Sequence, residues 1–262
     1  MYFCSLSSGS SGNCLYIETS QSKFLIDAGL SGVKIGKLME SRGLKPQDLD
    51  FILLTHEHND HSKGVGVLSR RYNIPVFSNE NTWMAMRSFI GKIKDENLKV
   101  FETGVDFEYR DLAIKPVRIY HDCADPVAYV IYGDNKKISV MTDTGLVTNE
   151  MINSFKDSDM LFMESNYDSN MLFNGPYPEY LKRRISGNEG HISNQESAEL
   201  IGKLLKSGNE KVYLGHLSQE NNLPILAKNT VESHLIELGI DKNDLNIEVS
   251  KRFSANEIYK LG

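Results

Sequence analysis

Residues 51–61, FILLTHEHNDH, constrain this chain more than any other stretch. Four apolar residues and a threonine lead into His56, Glu57, His58, Asp60 and His61. An apolar run that stops at a polar cluster reads as a strand buried on both faces, with the cluster in the loop at its carboxyl end. Open α/β architectures place chemistry at that end. His56 and His58 lie two apart in an extended segment, so they face one side and can share one ion. Asp60 and His61 follow the turn-prone Asn59 and can aim at a second ion nearby. Two divalent ions about 3.5–4 Å apart activate a bridging water for hydrolysis. The bland alternative is a solvated loop with incidental histidines, and H-x-H-x-D-H directly behind a buried strand argues against it.

The same order, apolar strand then ligand, recurs along the chain. Residues 137–142 run to Asp143, residues 160–163 to Glu164, and residues 211–214 to Gly215 and His216. His121 stands between two expected strands and can reach the first ion from the rim. A carboxylate behind a buried strand is costly when uncompensated, and bridging two cations would satisfy Asp143. His216 completes a set of five histidines and two aspartates, four protein ligands per ion if Asp143 is shared. Five imidazoles suit zinc, while the carboxylates also admit manganese or iron. His234, on an amphipathic stretch without a partner motif, reads as surface or structural.

Around these ligands the pattern predicts strands near residues 2–6, 14–19, 23–27, 75–77, 99–101, 106–109, 112–119 and 127–132. Helices are expected over residues 31–42, 65–72, 81–90 (capped by Asn81 or Thr82) and 195–205. Strand clusters alternating with helices over both halves indicate an α/β protein with two sheets covered by helices. At 262 residues, with nothing resembling a linker, one domain over residues 1–262 is expected.

Composition narrows the setting. No run of eighteen apolar residues is present and the amino terminus lacks a basic then apolar leader, so a cytoplasmic protein without a membrane span is expected. Three cysteines without C-x-x-C spacing argue against a disulfide framework. Cys4 and Cys14 read as small buried hydrophobes, and Cys123 as a core residue or, two residues from His121, a metal neighbour. A net charge of −6 does not advertise nucleic-acid binding. The basic residues are nevertheless clustered locally, at Arg70 and Arg71 and at Lys182, Arg183 and Arg184; a solvated helix face is the plain reading of each.

The order His56, His58, Asp60, His61, then His121, Asp143 and His216, resembles the metallo-β-lactamase superfamily over nearly the whole chain. The segments SSGSSGNC, LLTHEHNDH, HDCADPVAY, TDTG, ESNYD, GHISNQESAEL and LGHLSQENN are similar to its WalJ group, also called YycJ or VicX. The resemblance implies an αββα sandwich with a two-metal site at one edge. It assigns His56, His58 and His121 to the first ion, Asp60, His61 and His216 to the second, and Asp143 to both. It also implies 5′-to-3′ exonuclease activity on double-stranded DNA, with a metal-bridging hydroxide as nucleophile. The secreted β-lactamases carry cysteine where this chain has Asp143, which favours a phosphodiesterase-like site. The tRNA 3′-processing members carry a histidine and glutamate pair where this chain has Met163 and Glu164, so their proton donor is missing at that position.

Phosphodiester hydrolysis also needs a proton for the leaving oxygen. Asp60 can orient the nucleophile. His191 in NEGHISN is the candidate donor or phosphate contact, since it precedes a helix whose amino-terminal amides can hold a phosphate; a structural role is the alternative. Ser193 with Glu196 fits the S-x-x-E capping box. Asn13, Asn166, Asn194, Asn221 and Asn222 flank the ligand segments and, with Ser193, are candidate substrate contacts, although asparagine is common turn chemistry. Lys182, Arg183 and Arg184 can track a DNA backbone. The competing readings are a small-substrate hydrolase acting on a cyclic phosphodiester or a thioester, an RNA-processing nuclease, and a non-catalytic regulator. Association into a homo-oligomer is left open.

Overall fold

The apolar runs pair into two seven-stranded sheets in a computed structural model that describes residues 1–206 and 210–262. The strands are β1 (Tyr2–Ser7), β2 (Cys14–Glu18), β3 (Lys23–Ile26), β4 (Phe51–Leu53), β5 (Val76–Asn79), β6 (Leu98–Phe101), β7 (Phe107–Tyr109), β8 (Leu112–Arg118), β9 (Val127–Gly133), β10 (Lys136–Met141), β11 (Met160–Glu164), β12 (Lys211–Gly215), β13 (Asn246–Val249) and β14 (Tyr259–Lys260). The helices are α1 (Gly32–Glu40), α2 (Asn59–Ser62), α3 (Val65–Tyr72), α4 (Glu80–Met86), α5 (Asn149–Phe155), α6 (Ser169–Asn174), α7 (Glu179–Ile185), α8 (Asn194–Leu204) and α9 (Pro224–Glu237).

One sheet has the order β14-β1-β2-β3-β4-β5-β6 and the other β13-β12-β11-β10-β9-β8-β7. In each, one half is antiparallel and the other parallel: β3 to β6 run parallel in the first, β10 to β13 in the second. The parallel halves carry their carboxyl ends to the same edge of the molecule, and that edge holds the ligand loops. Between the sheets lies an aromatic-rich core, with Phe24 stacked on Phe51 at 4.5 Å and Phe3 against Tyr213 at 5.0 Å. A second core joins the first sheet to α1 and α3, and a third joins the other sheet to α5, α8 and α9. Apolar faces on both sides of each sheet explain the unbroken hydrophobic runs. The layering is αββα, as the resemblance implied. Among the described residues no helix is long and apolar enough to cross a membrane.

Several local expectations need correction. Asn79, not Asn81 or Thr82, caps α4, because it leaves β5 in an extended conformation and its side chain accepts from the Thr82 amide at 2.9 Å; the helix ends at Met86 rather than at Ile90. Asn59 begins the short helix α2 rather than a simple turn. The Ser193 and Glu196 capping box is present in both directions. Cys4 and Cys14 are buried in strands, whereas Cys123 is only half-buried in a loop, outside the three cores.

Candidate metal centre and catalytic cleft

Each ligand loop is fixed by contacts to another loop. Asn13 donates its backbone N–H to the Asp60 carbonyl at 2.7 Å, Ala28 to the His61 carbonyl at 2.8 Å and Gly29 to the Asn13 carbonyl at 2.8 Å. Gly29 must be glycine, since a methyl group there would sit 1.6 Å from the Asp60 carbonyl oxygen. Glu57 accepts from the Ala124 amide at 2.8 Å and so ties the H-x-H-x-D-H loop to the loop that carries His121. Asp27, Asp143 and His216, at the ends of β3, β10 and β12, all have positive φ (61°, 59° and 52°). That conformation costs on the order of 1–3 kcal/mol per residue and persists only where surrounding contacts enforce it.

The seven expected ligands come together. His56, His58 and His121 place nitrogens within 4.8 Å of one another, as do the ligand atoms of Asp60, His61 and His216; Asp143 forms a further group of that size with His56 and His61. Asp143 lies 3.2 Å from His61 Nε2 through one oxygen, and 3.3 Å from His216 Nε2 and 3.7 Å from His121 Nε2 through the other. His56 Nε2, His216 Nε2 and Asp143 Oδ2 are buried and make no hydrogen bond. Buried polar atoms are otherwise almost always paired. Three orphans converging among imidazoles and carboxylates fit divalent cations that take nitrogen and oxygen donors.

The histidine nitrogens that face away from the centre are held in place. His61 Nδ1 meets Asp27 at 2.7 Å, and Asp27 accepts in turn from the Thr55 amide and hydroxyl. His216 Nδ1 lies 3.0 Å from Glu164. His56 Nδ1 lies 3.0 Å from the Thr55 hydroxyl, and His121 Nδ1 3.2 Å from the Gly190 carbonyl. Burial works to lower every one of these imidazoles, but the carboxylates of Asp143, Asp27 and Asp60 carry His61 well above its ordinary value. Asp143, Asp60 and Glu164 likewise overcome burial and raise His216 to about 10. His56 is pushed well down by burial and by His61, and His121 is lowered by burial with His191 and His58 beside it. Burial would raise Asp143, yet His216 and His61 hold it well below the carboxylate range.

Glu164, which the strand-then-ligand order marked in the sequence, takes a role that spacing did not assign. It is fully buried, where a lone carboxylate costs several kcal/mol. It accepts from His191 at 2.8 Å, from the Thr144 amide at 3.1 Å and from the Ile192 amide at 3.4 Å, besides His216. An acid ending a buried strand was the available signal for it, as for Asp27. His191 is thereby brought to the cleft, with Nδ1 on Glu164.

The cleft has a volume of about 270 Å³ and is lined by His58, Asp60, His121, Asp143, His191 and His216, with Ser10, Asp122 and Arg184 at its edges. A roomier hollow of about 630 Å³, beside the β7–β8 and β9–β10 turns, contains none of these ligands. Arg184 is exposed and ion-pairs with Asp122 at 2.6 Å, and Arg183 is exposed on the same helix. Lys182 does not join them: it is buried and donates to the Phe173 carbonyl at 2.8 Å, so the expected basic triplet is not one surface. Asn13, Asn166, Ser193 and Asn194 do not line the cleft. Asn13 Nδ2 approaches His61 Nε2 at 3.0 Å and Asn166 Nδ2 donates to the His216 carbonyl at 2.9 Å. Ser193 caps α8, and Asn194 bonds to Ser165 and Asn222. These contacts of all four are made within the chain itself.

A family model for the β-lactamase superfamily domain matches residues 22–217. Exodeoxyribonuclease WalJ of Streptococcus pneumoniae is 42% identical over 242 residues, covering 90% of each chain. Exodeoxyribonuclease YycJ of Bacillus anthracis is 39% identical over 239 residues, covering 91% of this chain and 90% of the relative. Among solved structures, the metallo-β-lactamase fold protein YhfI from Bacillus subtilis aligns with a TM-score of 0.73 at 12% identity, over 97% of this chain and 98% of that one.

Proposed function

This chain belongs to the metallo-β-lactamase superfamily of hydrolases, in its WalJ/YycJ group, and from that membership we propose a two-metal exonuclease that degrades double-stranded DNA from 5′ to 3′. His56, His58 and His121 would hold one ion, Asp60, His61 and His216 the other, and Asp143 would touch both. Manganese, zinc and iron all suit this donor set. When bound, the ions supply a water activated at neutral pH and the positive charge that a scissile phosphate needs.

The carrying observation is the set of three orphaned, buried ligand atoms, His56 Nε2, His216 Nε2 and Asp143 Oδ2, of which the last two belong to residues that line the cleft. The cleft, about 270 Å³ in volume, has room for a phosphodiester, and on this reading the rest of the polymer lies on the surface. Asp60, at the cleft wall, orients the attacking water. His191 serves the leaving oxygen in its doubly protonated form: Nδ1–H is donated to Glu164 at 2.8 Å, which fixes the ring, and the second proton, on Nε2, passes to the leaving oxygen. Burial would raise Glu164, but His191 and His216 hold its carboxyl low, so it stays ionised and keeps the His191 ring in register. The pair takes the part of the proton donor missing at Met163. Arg184 meets the backbone at the rim. We read residues 1–262 as one catalytic unit acting in the cytoplasm.

The test is incubation of metal-replete protein with DNA and RNA, single- and double-stranded, labelled at the 5′ or the 3′ end. Release of 5′-terminal nucleotides from duplex DNA is the expected result. Preferential cleavage of RNA, or of a cyclic dinucleotide with DNA untouched, would overturn it.

A further inference from the structure

The second-ion side of the cleft carries a cationic surface that the mechanism leaves unused. The loop after β13 holds Lys251, Arg252 and Phe253 against the Ser/Gly loop between β1 and β2. Ser7 donates its hydroxyl to the Arg252 carbonyl at 2.6 Å and Ser8 its amide to the Lys251 carbonyl at 3.1 Å, so the backbone of both residues is fixed. The Arg252 guanidinium lies flat on Gly9, where a methyl group would come within 2.7 Å of Nη1. It donates to Ser10 Oγ at 3.2 Å and to the carbonyl of Leu217, the residue after His216. Ser10 itself lines the metal cleft.

Three features of this surface point to a ligand. A guanidinium has five N–H donors and two partners are seen here, so most of its fork is uncommitted. Among the described residues no carboxylate lies within ion-pair distance of Arg252, Lys251 or Lys34, on a chain whose net charge is −6. Arg184, across the cleft, is by contrast already paired with Asp122. Beside Arg252 the ring of Phe253 is 65% exposed, with Lys34 Nζ 5.5 Å from its centroid. A cation that grips phosphate next to an exposed aromatic ring is the combination that tracks a nucleic-acid strand.

We propose that Arg252, Ser10 and Phe253 form a subsite for the nucleotide adjoining the scissile phosphate on the second-ion side of the cleft. The Arg252 fork and the Ser10 hydroxyl take its phosphate, and the Phe253 ring stacks its base. The proposal rests on the nuclease reading for the identity of the polymer, which is DNA. Stacking on Phe253 requires an unpaired base, so the duplex must be frayed where it meets the cleft on this side.

Binding of a fluorescent phosphorothioate DNA duplex by metal-loaded protein, followed by anisotropy across a salt series, tests this without cleavage. Arg252→Gln should weaken binding roughly tenfold and lower the salt slope by about one, as loss of one phosphate contact does. Phe253→Ala, which removes no hydrogen bond, should weaken binding about fivefold or more with the slope unchanged. For both variants the loss on DNA should exceed the loss on bis(p-nitrophenyl) phosphate, which has no neighbouring nucleotide. Wild-type affinity and slope in both variants would overturn the subsite. Equal losses on the two substrates would also overturn it, because Arg252 would then serve only to hold Leu217 and His216. Failure of the wild type to cut DNA would fell the nuclease reading alone, since the subsite is judged on the binding of the variants.

Discussion

Behind His61 and His216 stand carboxylates, Asp27 at 2.7 Å and Glu164 at 3.0 Å, whereas His56 rests on the Thr55 hydroxyl at 3.0 Å and His121 on the Gly190 carbonyl at 3.2 Å. The proposed ion pockets therefore share their ligand chemistry and differ in what polarises it. A carboxylate behind an imidazole raises its basicity and fixes its tautomer; a hydroxyl or a carbonyl does so less. The second pocket competes harder for a cation, and for protons when no cation is present. In the first, burial holds His56 and His121 below the ordinary imidazole value. Glu164 adds a link that the first pocket lacks, since the same carboxylate holds His216 and His191.

Asp143 is proposed to serve both pockets, so its loss should do most. Asp143→Ala is expected to lower DNA hydrolysis on the order of a thousandfold and to leave less than one tightly held ion per chain, measured by initial rates and elemental analysis. The contrast between Asp27→Asn and Glu164→Gln comes next. Asp27→Asn should weaken metal binding at the second pocket by roughly 10–100-fold, with turnover recovering in excess metal. Glu164→Gln should in addition cost about a hundredfold in kcat that excess metal does not restore, because His191 loses its orienting partner. If both variants recover alike, the His191 assignment fails.

The smallest effect concerns protons in the chelated protein. His216 sits near 10 when folded, above the ordinary value of about 6.5. Its contribution is therefore complete below about pH 6.5 and is lost as pH rises through about 10. His56 and His121 are lowered, so the folded chain binds fewer protons there than the unfolded one, and stability falls as pH drops below about 6.5. Urea midpoints of chelated protein should accordingly fall on both sides of neutrality. An alkaline limb that stays flat would contradict the assignment of His216.

How much was legible in the sequence follows from the same comparison. The candidate ligands stood out because most of them follow an apolar run that reads as a buried strand, and H-x-H-x-D-H then has little else to do. The residues behind them did not. Asp27 stands 34 residues from His61 and Glu164 stands 52 from His216, and an acid at a strand end has many uses until the sheets bring it to a histidine. Arg252 was equally silent, since one arginine in KRF is unremarkable until Gly9 and Ser10 come to lie against it. The basic triplet was over-read for the opposite reason, as one turn of α7 puts Lys182 inward and Arg183 and Arg184 outward.

Titration of chelated protein with zinc at pH 8, counting bound ions and released protons together, tests the central claim most directly. Two ions per chain are predicted, with protons released mainly on filling the pocket that contains His61 and His216, and with that release abolished for one ion in His216→Ala. A single ion per chain, or two ions entering without proton release, would contradict it.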